Sequence, residues 1–385
     1  MRAKKTLITN SIKLKIAVNT RHLTAKGFDG IGRFTFETFK LVAQQHPEVE
    51  FLYLFDRKFM PQYITSDNIK PIVVYPPTQH PHLINIWYNL ALPIIFKKHK
   101  PDLFVSPDGL LSLKTDIKQL AVIHDLNFIH FPDVSSKYAD FFLNFYPKSA
   151  AKAFRVATVS EYSKQDIINE FKIEPSKIDV VYNGIADAYY PVTETEKKET
   201  QLKYTNGCAY FVFVGSFHKR KNIVRLLQAF EKFKSDNAST IKIILAGNRK
   251  WSAPDIAGYY EQMKFKDDVI FTNRLSDEEL RKVLGSAMAL TYVSLFEGFG
   301  IPVIEAFNCD VPVLSSNVTA IPEISGGAAL LVNPLAVDEI AAAMQKLATE
   351  KEYRELLIQN GRIQRQQFTW QRSADSMWHA IEKCF

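Results

Sequence analysis

Short apolar runs recur along the chain, and each is followed by a stretch whose apolar residues keep helical spacing. In the first half the runs are 14–18 (LKIAV), 51–55 (FLYLF), 72–75 (IVVY), 103–106 (LFVS), 120–124 (LAVIH), 156–160 (VATVS) and 179–182 (DVVY). In the second half they are 209–215 (AYFVFVG), 242–247 (KIILAG), the start of 269–280 (VIFTNRLSDEEL), 288–293 (MALTYV) and 311–317 (VPVLSSN). Such runs lack polar alternation, as expected of strands covered on both faces. Their alternation with helices predicts parallel sheets of an α/β fold. Ligands of such sheets lie at the carboxyl ends of the strands. The 385 residues suffice for two domains with sizeable cores.

The turns at those strand ends carry the candidate chemistry. After Val293 the loop holds Glu297, Gly298, Phe299 and Gly300, and Pro302 opens a predicted helix (VIEAFNC). Pro suits a first helical turn, where its missing N–H has no partner to lose. The glycines admit positive φ and close approach of a ligand to the backbone. A strand, a glycine-rich loop and a helix N-terminus make an anion site. Glu297 and Glu305, with seven residues between them, add acceptors for hydroxyls. A ligand with both phosphates and hydroxyls, such as a sugar nucleotide, fits; two solvated acids beside a turn are the alternative. Gly27, Gly30 and Gly32 crowd the turn after the first strand, before a helix that starts near Ile31. Position 35 is Thr, so the Gly-x-Gly-x-x-Gly fingerprint of nicotinamide-binding folds is incomplete. Arg33 is either a phosphate partner or a solvated first-turn residue. His124-Asp125 ends another strand, where an imidazole either meets a ligand hydroxyl or serves the turn. Lys219, Arg220 and Lys221 follow Gly215 and are either solvated or set to hold a diphosphate.

The string FEGFGIPVIEA resembles the Glu-x7-Glu signature of retaining glycosyltransferases of family 4. The resemblance implies that Glu297 contacts hydroxyls of the donor sugar, Glu305 the ribose, and the amides of Gly298, Phe299, Gly300 and Ile301 the diphosphate. GIGRF is similar to the GIGRY segment of mannosyltransferase-like members, whose loop (here Gly30 and Gly32) faces donor diphosphate and acceptor. IHD resembles the family segment whose His, here His124, lies near the reacting sugar. SFHKRKN resembles the G-x-x-x-PRKN turn, which gives Gly215, Arg220 and Lys221 to the diphosphate. Lys219 replaces the usual Pro, and Ser216 stands where other members have Arg, so one phosphate contact is missing. The turn with Leu275 would lie beside the nucleobase, contacted mostly by backbone. Asn183-Gly184 matches the family's domain crossing, and Trp87 with Leu92-Pro93 its W-x-x-x-x-LP segment.

The resemblance implies a GT-B arrangement, two Rossmann-like domains facing an interdomain cleft. The expected boundaries are 1–188 for the acceptor-side domain, 189–365 for the nucleotide-sugar domain, and 366–385 for a terminal helix packing back towards the first. The stretch 189–207 reads as a polar linker into the second domain. Ser160 is an expected N-cap, and Ser276 with Glu279 reads as a capping box. The reaction implied is sugar transfer with retention, leaning to GDP-mannose, onto a glycan or lipid-linked acceptor in cell-surface polysaccharide synthesis. A non-transferring epimerase or hydrolase of the same fold, or a non-catalytic nucleotide-sugar-binding protein, are the alternatives. No Asp-x-Asp occurs in the chain, so no metal and no other cofactor is expected.

Composition narrows partners and location. The net charge of +7 favours anionic partners, whether nucleotide phosphates, a polyprenyl-phosphate lipid or an anionic membrane surface. No nucleic-acid module is recognisable, so nucleic acid is not an expected partner. Three scattered cysteines and no Cys-x2-Cys fit a reducing compartment. No signal peptide and no run of 18 apolar residues is seen, so the chain is expected in the cytoplasm. Peripheral association with the inner face of the plasma membrane stays open. The segment 82–100 reads either as an interfacial helix or as a core helix whose Lys-rich end suits the helix dipole.

Overall fold

A computed structural model describes residues 14–24, 30–132, 139–247 and 254–385; Gly27 lies outside them. Among the described residues, thirteen strands form two parallel sheets. The first contains β1 (Lys15–Asn19), β2 (Glu50–Phe55), β3 (Ile69–Val73), β4 (Leu103–Ser106), β5 (Lys118–Val122), β6 (Arg155–Thr158) and β7 (Ile178–Val180), in the order β3-β2-β1-β4-β5-β6-β7. The second contains β8 (Tyr210–Val214), β9 (Lys242–Ala246), β10 (Val269–Thr272), β11 (Ala289–Tyr292), β12 (Val313–Ser316) and β13 (Leu330–Val332), in the order β10-β9-β8-β11-β12-β13. Both are doubly wound and together they make the expected GT-B architecture.

The apolar runs behave as two-faced strands. Ile16 and Val18 enter one core while Ala17 enters the core on the opposite face. Phe51, Tyr53 and Phe55 likewise part from Leu52 and Leu54. The first of these cores is completed from the far end of the chain. The helix Trp370–Glu382 buries Ala374, Met377, Ala380 and Ile381 in it, against the helix Gly30–Gln45. At the crossing, Ile185 N donates to Phe368 O (3.2 Å) and Ser373 Oγ to Tyr182 O (2.5 Å).

Two expectations about local structure need correction. The stretch 189–207 is not a linker, since Glu194–Thr205 is a helix with a full capping box between Thr193 and Glu196. Its polar sequence hid it because charge holds it in place: Glu196 accepts from Arg281 (2.5 Å) and Tyr204 donates to Glu279 (2.7 Å). Ser276 does cap the helix Asp277–Gly285, accepting from Glu279 N at 3.2 Å. The Glu279 carboxylate, however, goes to Lys203 and Tyr204 across the helix pair. The segment 82–100 combines features of both of its readings. It forms Pro81–Ile86, a π turn Trp87–Ala91 and Leu92–His99. Trp87 and Tyr88 are fully buried, whereas Ile86, Leu90 and Ile94 are 38%, 60% and 66% exposed. Among the described residues no helix is long and apolar enough to cross a membrane.

Gly184 sits where the chain crosses between lobes, and a Cβ there would lie 2.4 Å from the Trp370 backbone nitrogen. A methyl group must push the terminal helix away. Gly184→Ala should cost about 1–3 kcal/mol as overpacking, measured by urea unfolding, with earlier proteolysis of residues after 365. An unchanged midpoint would show that the crossing tolerates displacement.

Candidate active site in the cleft between the lobes

In the second sheet the strand order reverses between β8 and β11, and in the first between β1 and β4. Ligand crevices of open α/β sheets form at such switch points. The two face each other across a cleft of about 550 Å³.

On the second lobe, the turns after β8 and β11 are tied together. Leu295 N donates to Arg220 O (2.7 Å), and the Asn222 amide donates to Val293 O (3.0 Å). These bonds seat Lys219–Lys221 as a single 3-10 turn against the 293–297 loop. Lys221 Nζ then donates to Glu297 Oε1 (2.6 Å) and to the Tyr292 hydroxyl (2.5 Å), and Arg220 Nη1 to Glu297 Oε2 (3.0 Å) and Phe296 O (3.0 Å). Burial opposes ionisation of Glu297, but the charges of Lys221 and Arg220 overcome it and hold its pKa at about 2. Burial also pulls the Lys221 ammonium down; with the carboxylate in contact and a second cation sharing it, the cluster is ionic with one positive charge in excess. Gly300, at φ 102°, caps the helix Ile301–Asn308, whose first residues line the same cleft.

The first lobe contributes His124, Asp125, Asn127, Phe128, Phe142 and Tyr146. His124 Nε2 lies 2.9 Å from Pro107 O, and its ring meets Phe34 edge to face. The lobes touch at Gly298. Its carbonyl accepts from Ser160 Oγ (2.6 Å) and Ser163 Oγ (3.1 Å), and a Cβ there would come within 2.6 Å of His124 O. Beside it, the Glu323 carboxylate caps the other lobe's helix Glu161–Phe171, accepting from Glu161 N (2.8 Å) and Tyr162 N (3.0 Å).

The cleft thus brings together Gly30, His124, Gly215, Arg220, Lys221, Glu297, Gly298, Phe299, Gly300 and Ile301. Gly32, Leu275 and Glu305 do not line it. Gly32 is buried in the first turn of its helix, and Leu275 packs on the core of the second lobe. Glu305 is buried, hydrogen-bonded to the Tyr189 hydroxyl, and pushed up to about 7 by that burial, with Arg33 acting against it. Arg33 itself spans the lobes to Asp277 at 2.5 Å, a role neither of its sequence readings included. Sequence reasoning missed Tyr292 and the aromatic wall of Phe128, Phe142 and Tyr146. It also missed Glu323, whose cap belongs to a helix more than a hundred residues away in sequence.

Fold and cleft are those of the GT-B class. The profile described as Glycosyltransferase Family 4 matches residues 28–189, and that described as Glycosyl transferases group 1 matches 194–364. The chain belongs to the family 4 glycosyltransferases, with a group 1 second half. O-antigen chain mannosyltransferase B of Escherichia coli is 28% identical over 280 residues, covering 71% of this chain and 72% of that enzyme. The O-antigen chain mannosyltransferase RfbU of Salmonella typhimurium is 29% identical over 255 residues, covering 65% and 67%. Sucrose-phosphate synthase from Thermosynechococcus elongatus has the same fold, with a TM-score of 0.77 at 19% identity over 96% of this chain and 98% of its own.

Glu305 gives the site a pH signature. Its folded pKa is about 7 against an ordinary 4.5. Between those values the folded chain keeps a proton that the unfolded chain has lost, so stability falls as pH rises from 4.5 to 7. Glu305→Gln should remove that fall, about 3 kcal/mol for a shift of this size, read from urea midpoints across the range. Glu297 acts in the opposite sense and lower down: its stabilisation is present above 4.5 and is lost as pH falls towards 2. A Glu305→Gln variant with the parent's slope between pH 4.5 and 7 would assign the proton elsewhere.

Proposed function

We propose that this glycosyltransferase moves a sugar, with mannose from GDP-mannose the leading donor, onto a glycan or lipid-linked acceptor in cell-surface polysaccharide synthesis. The observation that carries the reading is the ionic cluster of Lys221, Arg220 and Glu297 beside the helix N-terminus at Gly300, inside a cleft between lobes. The two mannosyltransferase relatives support the sugar and the pathway class.

In this reading the diphosphate sits over the Gly300 helix end, against Arg220 and Lys221. Each Glu297 oxygen keeps a second lone pair, and these accept hydroxyls of the donor sugar. As the bond from the anomeric carbon to the phosphate oxygen breaks, its electron pair goes to the phosphate, and the fixed cations take up the charge. The acceptor oxygen attacks the same face, and its proton passes to the leaving phosphate, which gives retention. The cations do the work of a metal ion, so the reaction runs without one. Closure at Gly298 keeps out water that would hydrolyse the donor. The ribose contact that the family resemblance implies for Glu305 requires Tyr189 to release its hydrogen bond and open this buried carboxyl to the cleft. The enzyme works on the cytoplasmic side, and the exposed Ile86, Leu90 and Ile94, leading into Lys97 and Lys98, favour peripheral docking on an anionic membrane surface.

Thermal shift against a panel of nucleotide sugars tests the donor. A ligand at 100 times its Kd adds about 2.7 kcal/mol, and GDP-mannose should give the largest shift. Product analysis with and without acceptor separates transfer from epimerisation or hydrolysis. Lys221→Ala should lower kcat/KM by about 2–4 kcal/mol of transition-state stabilisation; unchanged turnover would remove Lys221 from the mechanism. Activity that persists in EDTA and an anomerically retained product are the expected results for metal and stereochemistry. Replacing Leu90 and Ile94 by Ser should lower co-sedimentation with vesicles containing phosphatidylglycerol, and equal binding by the variant would discard the docking face.

A further inference from the structure

We propose that Arg21 and Asp108 are positioning residues for His124, acting through the carbonyl of Pro107. The inference rests on the functional reading above for its kinetic consequence, though not for its structural one.

His124 Nε2 is 2.9 Å from Pro107 O. A carbonyl only accepts, so Nε2 carries the hydrogen, and a neutral ring then holds its lone pair on Nδ1. Which nitrogen can accept is therefore decided by where Pro107 points. Pro107 opens a tight turn at the end of β4, closed by Gly109 N donating to Ser106 O (3.1 Å), with Gly109 at φ 78°. The residue in the middle of that turn is Asp108, which is buried. Its carboxylate pairs with Arg21 Nε and accepts from Ser106 Oγ (2.9 Å), Tyr88 OH (2.8 Å) and Leu110 N (3.2 Å), and its carbonyl accepts from Tyr146 OH (2.8 Å). Arg21 overcomes the burial of Asp108 and holds its carboxyl well below the usual carboxylate range.

A buried ion pair is a poor way to stabilise a core, because desolvation offsets most of the attraction and apolar residues of similar size serve as well. What it supplies is direction. Arg21 follows β1 and Asp108 follows β4, the two strands between which the first sheet's order reverses. The pair locks the two strand ends at the switch point, fixes the turn that carries Pro107, and so sets the orientation and tautomer of the imidazole in the cleft. This gives Arg21, which lies just after β1, a role outside donor binding.

The test uses the full chain labelled with 15N-histidine, with the His124 signals identified by their loss in His124→Gln. At a pH where its ring is neutral, His124 in the parent should show a single tautomer, protonated at Nε2. The double variant Arg21→Met with Asp108→Leu leaves Ser106 Oγ, Tyr88 OH and Leu110 N without their acceptor and should melt at a lower temperature than the parent. While folded it should show a mixture of tautomers and lose about 100-fold in kcat, as misplacement of a group by about 1 Å does. GDP affinity, which belongs to the other lobe, should stay within twofold. Arg21→Lys, which keeps the charge without the guanidinium geometry, should fall between. A folded double variant with one Nε2–H tautomer and parental kcat overturns the proposal. If the double variant does not fold, parental tautomer and kcat in Arg21→Lys overturn it. A parent chain without transferase activity would count against the proposed function alone, because the tautomer reports on positioning by itself.

Discussion

The buried contact between Lys221 and Glu297, 2.6 Å long, is the constraint on which the rest of the cleft depends. Either charge alone in that place would be expelled or neutralised. Together with Arg220 they persist, and they bind the turn after β8 to the loop after β11. The glycine-capped helix that follows is aimed by the same loop. Two cations, the acid they hold and the glycine-capped start of the next helix thus line one cleft. Sheet order makes it possible, since β8 and β11 are far apart in sequence and adjacent in the sheet.

The second constraint is that the lobes meet at points with no room to spare. Gly298 comes so close to His124 and Asp125 that no side chain fits, and two serines from the opposite lobe hold its carbonyl. Glu323 caps a helix it does not belong to, which exchanges an orphaned pair of amides for a charge-assisted contact between lobes. On the other rim Arg33 reaches Asp277. These three contacts bring His124 to the same cavity as the ionic cluster. All three are polar and small, the kind of contact that a moving domain can break and remake.

Glu297 and Glu305 show how little residue type says about state. Both are buried acids on one loop-helix unit. Two cations hold Glu297 near 2, while Glu305, with a tyrosine hydroxyl as hydrogen-bond partner and Arg33 further off, rises to about 7. The first is a fixed charge in the cleft. The second titrates near neutrality behind it, which is why the acids that seem to bracket one site in the sequence stand apart in the fold.

Several features were determined locally and so could be read in order along the chain. The two-faced strands were legible because full burial removes polar alternation. The Gly-rich turn at 297–300 and the cationic turn at 219–221 were legible because their residue types have few other uses at a strand end. Motif resemblance added the class of enzyme. The helix at 194–205 escaped because ion pairs with a distant helix, and no apolar face, keep it in place. The tertiary structure alone decided which groups meet. It set Tyr292 under Lys221, Glu323 on a foreign helix and Arg21 against Asp108, and it took Glu305 out of the cleft. Those outcomes depend on strand order and on the approach of two lobes, and neither leaves a trace in the spacing of residues along one chain.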